Sequence, residues 1–129
     1  MAKAITEILD TNVLLRFLVG DIPAQKKQAE QWFFEAEQGE REIVVTSLVV
    51  AETIFVLEGF YHQSRRKISE AMEIFLSQRW LTVSEREVLL TALRPYRKKA
   101  HFVDAYLIAS RLVNHVGILT FDKALKKQV

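Results

Sequence analysis

The sequence predicts an α/β protein: a central parallel β-sheet flanked by helices on both faces. Three observations carry this. Short β-rich runs occur at Ile5–Leu9, Ile43–Thr46, Leu81–Val83 and Val116–Thr120. The stretches between them carry helical periodicity, and parallel strands need such long crossover connections. The four glycines, Gly20, Gly39, Gly59 and Gly117, fall where one element should stop and the next begin. Strands alternating with helices give a sheet covered on both sides.

The elements follow in order. The first run leads into Asp10-Thr11-Asn12 and the apolar Val13-Leu14-Leu15. Pro23 suits the first turn of a helix in which Ala29, Trp32, Phe33 and Ala36 follow i, i+3, i+4, i+7. Trp32, Phe33 and Phe75 are read as core, not as platforms for stacked bases. The second run precedes a helix in which eight of the ten residues from Leu48 to Leu57 are hydrophobic. Ile68, Ala71, Met72, Phe75 and Leu76 repeat the helical spacing before the third run. Val88, Leu89, Ala92 and Leu93 form a shorter helix that Pro95 ends or kinks. Ala105, Ile108, Ala109, Leu112 and Val116 give a last long helix that leads into the fourth run.

With 129 residues the chain is expected to form one domain over 1–129, large enough for a sizeable core. Hydrophobic residues make up 50% and charged residues 26%, as in soluble globular proteins. Cysteine is absent, which excludes disulfides and thiolate metal sites and fits a reducing cytoplasm. No apolar run approaches the roughly 18 residues of a membrane span, and no signal-peptide pattern is present. Net charge is only +2, so the distribution of charge is more informative than its sum. Residues 30–42 are acidic, whereas Arg65-Arg66-Lys67, Arg94 with Arg97-Lys98-Lys99, and Lys123 with Lys126-Lys127 are basic. Basic clusters are by default solvated surface; as phosphate contacts the candidates are Arg65, Arg66, Lys98 and Lys99.

One residue breaks the pattern. Glu52 sits inside the apolar helix, with Leu48, Val49, Phe55 and Val56 one turn away. It has no polar face of its own there, and a buried carboxylate must be compensated by a cation, a set of donors or a metal. In open α/β sheets ligands collect at the carboxyl ends of the strands. Asp10 directly follows the first strand. Glu52 lies in the second turn of the helix after the second strand. Asp122 follows the fourth, and Asp104 opens the helix that runs down into the fourth. All four acids are therefore expected on one rim. Clustered carboxylates repel, and a divalent cation removes the conflict. Hard oxygen donors without a histidine or cysteine set suit Mg²⁺ or Mn²⁺. Such an ion activates water and neutralises charge on a phosphate, which points to phosphodiester hydrolysis.

Each acid also has a structural reading. Asp10 and Asp122 precede helices and can act as caps. Asp104 in a first turn opposes the helix dipole, and Glu52 can belong to a buried salt bridge. His101, three residues before Asp104, is read as surface.

Asp10-Thr11-Asn12 after Glu7-Ile8-Leu9, Glu52 in its apolar helix, Phe102-Val103-Asp104-Ala105-Tyr106-Leu107-Ile108-Ala109, and Leu119-Thr120-Phe121-Asp122-Lys123 together resemble the PIN-domain ribonucleases, most closely the VapC-type toxins of toxin–antitoxin pairs. The Asp-Thr-Asn triplet alone is weak; four motifs in the right order over nearly the whole chain are specific. The resemblance implies a Rossmann-like sheet of order 3-2-1-4-5. It implies an acidic metal site of Asp10, Glu52, Asp104 and Asp122 that is also catalytic, with Asn12 and Thr120 as polar supports. It further implies a metal-dependent endoribonuclease that leaves 5′-phosphate and 3′-hydroxyl ends on RNA, a homodimer, and an antitoxin that occupies the acidic groove. The family carries a further strand after the helix that follows the last Asp. Here the sequence stops at Lys126-Lys127-Gln128-Val129, so either strand 5 is absent or the sequence is a truncated piece. Two other classes compete. A receiver-like Mg²⁺-binding signalling domain needs adjacent acids after the first strand, where this chain has Asp10 and then Asn12. A non-catalytic PIN-like module that only binds RNA or protein has no need of four intact acids.

Overall fold

Parallel strands and helices alternate through the first half of the chain in the computed structural model, which describes residues 5–127. The chain divides into two compact units, one made of residues up to Gln63 with Gln78–Ser84, the other of Ser64–Ser77 with Glu85 onward.

The first unit holds β1 (Ile5–Ile8), α1 (Thr11–Val19), α2 (Pro23–Glu37), β2 (Arg41–Val45), α3 (Ser47–Gly59) and β3 (Thr82–Val83). β2 is the middle strand and pairs in parallel with both neighbours, Ile8 opposite Val44 and Val44 opposite Thr82. This is the 3-2-1 part of the expected order. Gly20 ends α1 with φ 73°, a left-handed conformation that a side chain disfavours, and Gly39 turns the chain into β2 with φ 81°. Pro23 occupies the first turn of α2, where its missing N–H has no partner to lose. The core is Leu9, Leu14, Leu15, Ala29, Phe33, Ala36, Ile43, Val45, Val50, Ile54, Leu57 and Leu81.

The second unit is helical: α4 (Arg65–Leu76), α5 (Arg86–Arg97), α6 (Phe102–Asn114) and the short α7 (Lys123–Lys126). Of the apolar spacings read from the sequence it buries Ile68, Met72, Phe75 and Leu76 on α4, with Ala71 half-buried, and Val88, Leu89, Ala92 and Leu93 on α5; on α6 Ala105 and Ala109 are buried, but Ile108 is half-buried, and Leu112 and, past the helix end, Val116 are exposed. Pro95 stands in the last turn of α5, which ends two residues later. Tyr96 is fully buried, edge-on to Phe102 at 5.9 Å. The Arg65 guanidinium lies 4.5 Å over its ring and donates to the carbonyls of Tyr96 (2.8 Å) and Ala100 (2.6 Å).

The fourth strand is a correction. Residues 116–120 form no strand, and no strand occurs among the described residues of the second unit. α6 stops at Asn114, His115 turns left-handed at φ 55°, and Leu119 and Phe121 stand fully exposed. A β-branched run favours extended backbone, but a strand also needs a neighbour to take its N–H and C=O groups. The sequence was ambiguous here, since Val116 continued the periodicity of α6 and also began the β-rich run. Gln128 and Val129 lie outside the described residues.

Candidate functional site

The first unit carries Asp10 and Glu52, the second Asp104 and Asp122. Asp10 sits two residues beyond β1, where the Leu9 amide still donates to Val44 (2.8 Å). It takes the N-cap position of α1, with extended backbone (φ −86°, ψ 146°), yet makes no side-chain cap bond. Burial of Thr11, Leu14 and Leu15 holds α1 in place, so the exposed Asp10 carboxylate is not consumed by the helix. It lines a hollow of about 210 Å³ with largely apolar walls from Ile8, Val13, Trp32 and Phe33. The Arg41 guanidinium at that hollow is tied to Glu7 and, at 3.3 Å, to Glu35, so its charge is already balanced.

Glu52 lies in the second turn of α3, as expected, but it is exposed. This corrects the burial expected from its neighbours. α3 is apolar nearly all round, so periodicity could not say which face meets the core. The buried face is Val50, Thr53, Ile54 and Leu57, while Leu48 and Phe55, one turn either side of Glu52, are 78% and 39% exposed. Thr46 caps the helix, accepting from the Val49 amide at 3.3 Å, which leaves the Glu52 carboxylate outside that capping.

Asp104 is half-buried in the first turn of α6, behind an N-cap in which the exposed His101 imidazole accepts from the Val103 amide (3.4 Å). The expectation that α6 runs into a strand fails with that strand, and so does the placement of Asp104 and Asp122 that rested on it. Asp122 caps α7: its Oδ1 accepts from the amides of Ala124 (2.7 Å) and Leu125 (3.1 Å). Thr120 Oγ1 accepts from the Asp122 amide at 2.9 Å and so fixes the turn that presents the carboxylate. Asn12 is exposed beside a second hollow, lined also by Arg16, Gln25 and Trp32.

The donor chemistry of these acids fits a hard divalent cation, with carboxylate oxygens and no thiolate or imidazole. Among the described residues no three acidic, histidine or cysteine side chains are gathered as a metal-binding group. Of the supposed phosphate contacts, Arg65 is corrected: its guanidinium is committed to the end of α5. Arg66 pairs with Glu70 one turn on (3.2 Å), while Lys98 and Lys99 are exposed.

Two polar networks were missed by sequence reasoning. In the second unit Tyr106, two residues past Asp104, donates to the Glu85 carboxylate (2.6 and 2.8 Å), and Glu85 has the unusual φ of 81°. Nothing in the sequence marks a left-handed glutamate 21 residues away. In the first unit the Tyr61 hydroxyl donates to Asp21 at 2.8 Å, and Arg16 reaches Asp21 at 3.3 Å and the Tyr61 oxygen at 3.1 Å. The Tyr61 hydrogen bond, then the Arg16 charge, hold the Asp21 carboxyl below its usual value of 3.8.

The model of the PIN domain family matches residues 8–128. The chain belongs to the PIN-domain family. A VapC ribonuclease of Aquifex aeolicus (strain VF5) is 28% identical to this PIN domain over 123 residues, covering 94% of this chain and 90% of the relative. No solved structure matches it. The family match spans both compact units, and the parallel sheet with its seven helices among the described residues is consistent with the α/β, Rossmann-like architecture. No described helix is long and apolar enough to cross a membrane.

Proposed function

We propose that this PIN domain is a metal-dependent endoribonuclease, the toxin of a type II toxin–antitoxin pair, acting in the cytoplasm as a homodimer held silent by a cognate antitoxin. We read residues 1–129 as one PIN domain, because one family model runs across both units. The similarity to a VapC ribonuclease supports the substrate class. The observation that carries the site is Asp10: a carboxylate past the carboxyl end of β1, at a helix start, that its helix does not use.

In this reading Asp10, Glu52, Asp104 and Asp122 are the acidic residues that hold Mg²⁺ or Mn²⁺ and on which cleavage depends. The ion, when bound, supplies an activated water and neutralises charge on the scissile phosphate. The chain's part is to present carboxylates that folding leaves available. Asp10 is free of its helix. Asp122 gives Oδ1 to two amides and keeps Oδ2, while Thr120 fixes the backbone beneath it. Asn12 supports the carboxylate two residues before it.

The test is incubation of the purified protein with total RNA, with Mn²⁺ or with chelator, followed by mapping of the cut ends. Cleavage that needs the ion and leaves 5′-phosphate and 3′-hydroxyl ends is the expected result, and the map names the RNA. Stoichiometric RNA binding without cleavage in Mn²⁺ would replace the reading with a non-catalytic PIN module.

A further inference from the structure

We propose that the hollow between α1 and α2 is a base-reading subsite. It takes one unpaired RNA base, guanine or uracil, by the acceptors on the base edge, next to the phosphate that is cut at Asp10. The subsite rests on the nuclease reading above for its place beside the cut. The hollow encloses about 290 Å³, near the lower end of small-ligand clefts. Asn12 and Arg16, one turn apart on α1, line it from one side. Gln25, Gln28 and Trp32, at i, i+3 and i+7 on α2, line it from the other. Val13 and Trp32 also line the hollow of Asp10, so the two hollows share a wall.

Trp32 is expected in the core from its spacing, yet it is only half-buried, whereas the adjacent Phe33 is buried. A tryptophan inside a protein usually packs its ring and gives its N–H to an acceptor. Among the described residues Trp32 has neither a ring contact nor a hydrogen-bond partner. Its ring is left for a stacked base, the usual platform for unpaired bases of RNA. The polar side of the hollow is already oriented. Arg16 Nε donates to Gln25 Oε1 at 3.1 Å, and Arg16 Nη1 serves Asp21 (3.3 Å) and the Tyr61 oxygen (3.1 Å). An arginine N–H can only donate. The Gln25 amide oxygen is therefore the atom turned to Arg16, and its NH₂ group is left over. What this pair still offers is donors: the Gln25 NH₂ and Arg16 Nη2. Neighbouring donors match O6 and N7 of guanine or the carbonyls of uracil, not the exocyclic amino groups of adenine and cytosine. Gln28 has no partner among the described residues and can donate or accept, so it adds a contact without adding choice. Asp21 balances the Arg16 charge, so the hollow selects by hydrogen bonds and not by attraction to phosphate.

The test is an NMR titration of the isotope-labelled full chain, in chelator, with each of the four ribonucleoside 5′-monophosphates. The readout is the indole N–H signal of Trp32, assigned by its absence in Trp32→Leu. The guanosine and uridine nucleotides are expected to move it with an apparent Kd at least about fivefold tighter than the adenosine and cytidine ones. Gln25→Ala should remove that difference. Gln25→Glu keeps an oxygen for Arg16 but exchanges the donor for an acceptor, so the preference should turn toward cytidine and adenosine. Gln25 is exposed, so both variants should melt near the parent. With Mn²⁺ and total RNA the parent should cut beside guanine or uracil, and Gln25→Ala should cut with that preference flattened. A Trp32 signal that no nucleotide moves would overturn the subsite and leave the hollow to a protein partner. Equal movement by all four would overturn it too, because the phosphate would then be what binds. A base preference that survives both Gln25 variants would overturn it and put base reading elsewhere. Base-selective binding in chelator without cleavage in Mn²⁺ would keep the subsite and overturn the nuclease reading instead.

Discussion

Two aspartates occupy the same position at the start of a helix and are used differently. Asp122 at the start of α7 takes the amides of Ala124 and Leu125. Asp10 at the start of α1 takes none. The difference follows from what else holds each helix. α7 has four residues and buries only Leu125, so its first turn leans on the cap. α1 has nine residues and buries Thr11, Leu14 and Leu15, so packing fixes it and the carboxylate is spared. An acid at a helix start that its helix does not need, as at Asp10, is thus the stronger evidence for a ligand, whereas Asp122 has a structural duty as well.

The largest expected effect breaks the comparison on the side of function. Asp10→Asn should lower Mn²⁺-dependent RNA cleavage by at least about 100-fold, because the amide keeps the shape but is a poor ligand for a hard cation. Its melting temperature should stay near that of the parent, since no cap bond is lost. Full cleavage by the folded variant would remove Asp10 from the mechanism.

The next effect is on stability. Asp122→Ala should cost about 1 kcal/mol, the usual value of a lost N-cap, seen as faster hydrogen exchange at the Ala124 and Leu125 amides. Asp122→Asn should keep most of the cap and still lose cleavage, which separates the two duties of that side chain. Asp10→Ala is the matching control, and its cost should fall below about 0.5 kcal/mol, as for surface substitutions. Equal costs at the two positions would erase the distinction drawn here.

A smaller effect is expected at Glu52. A buried carboxylate among apolar neighbours would change stability strongly when neutralised. The exposed Glu52 of α3 should not, and Glu52→Gln should move stability by less than about 0.5 kcal/mol in chelator. Thermal melts decide this, and a shift of several kcal/mol would mean that the carboxylate is buried against a partner after all.

The smallest change concerns pH. Asp21 titrates below its usual value because Tyr61 and Arg16 favour its charged form. Such a group adds stability above its unfolded pKa of about 3.8, and that stability is lost as pH falls through the lower folded value. Tyr61→Phe should raise the Asp21 pKa and flatten stability against pH below about pH 4. An NMR titration of the Asp21 carboxyl in both proteins measures it.

The sequence by itself determined the alternation of parallel strands and helices, the start of α2 at Pro23, the turns at Gly20 and Gly39, and the buried stripes of α4 and α5, while the strand order as far as 3-2-1 came with the family resemblance. It also placed Asp10, Glu52 and Asp104 on their elements. These features are legible because they are local: periodicity, turn residues and the ends of runs are written within a few neighbouring positions. Tertiary structure alone decided the rest. Which face of the uniformly apolar α3 is buried depends on what packs against it, so Glu52 came out exposed. Whether residues 116–120 form a strand depends on a neighbour for their backbone groups, so that run stayed unpaired. Whether Asp10 or Asp122 caps its helix depends on how much each helix buries. The bond from Tyr106 to Glu85, and the use of Arg65 on carbonyls 31 and 35 residues away, join positions that no local pattern relates.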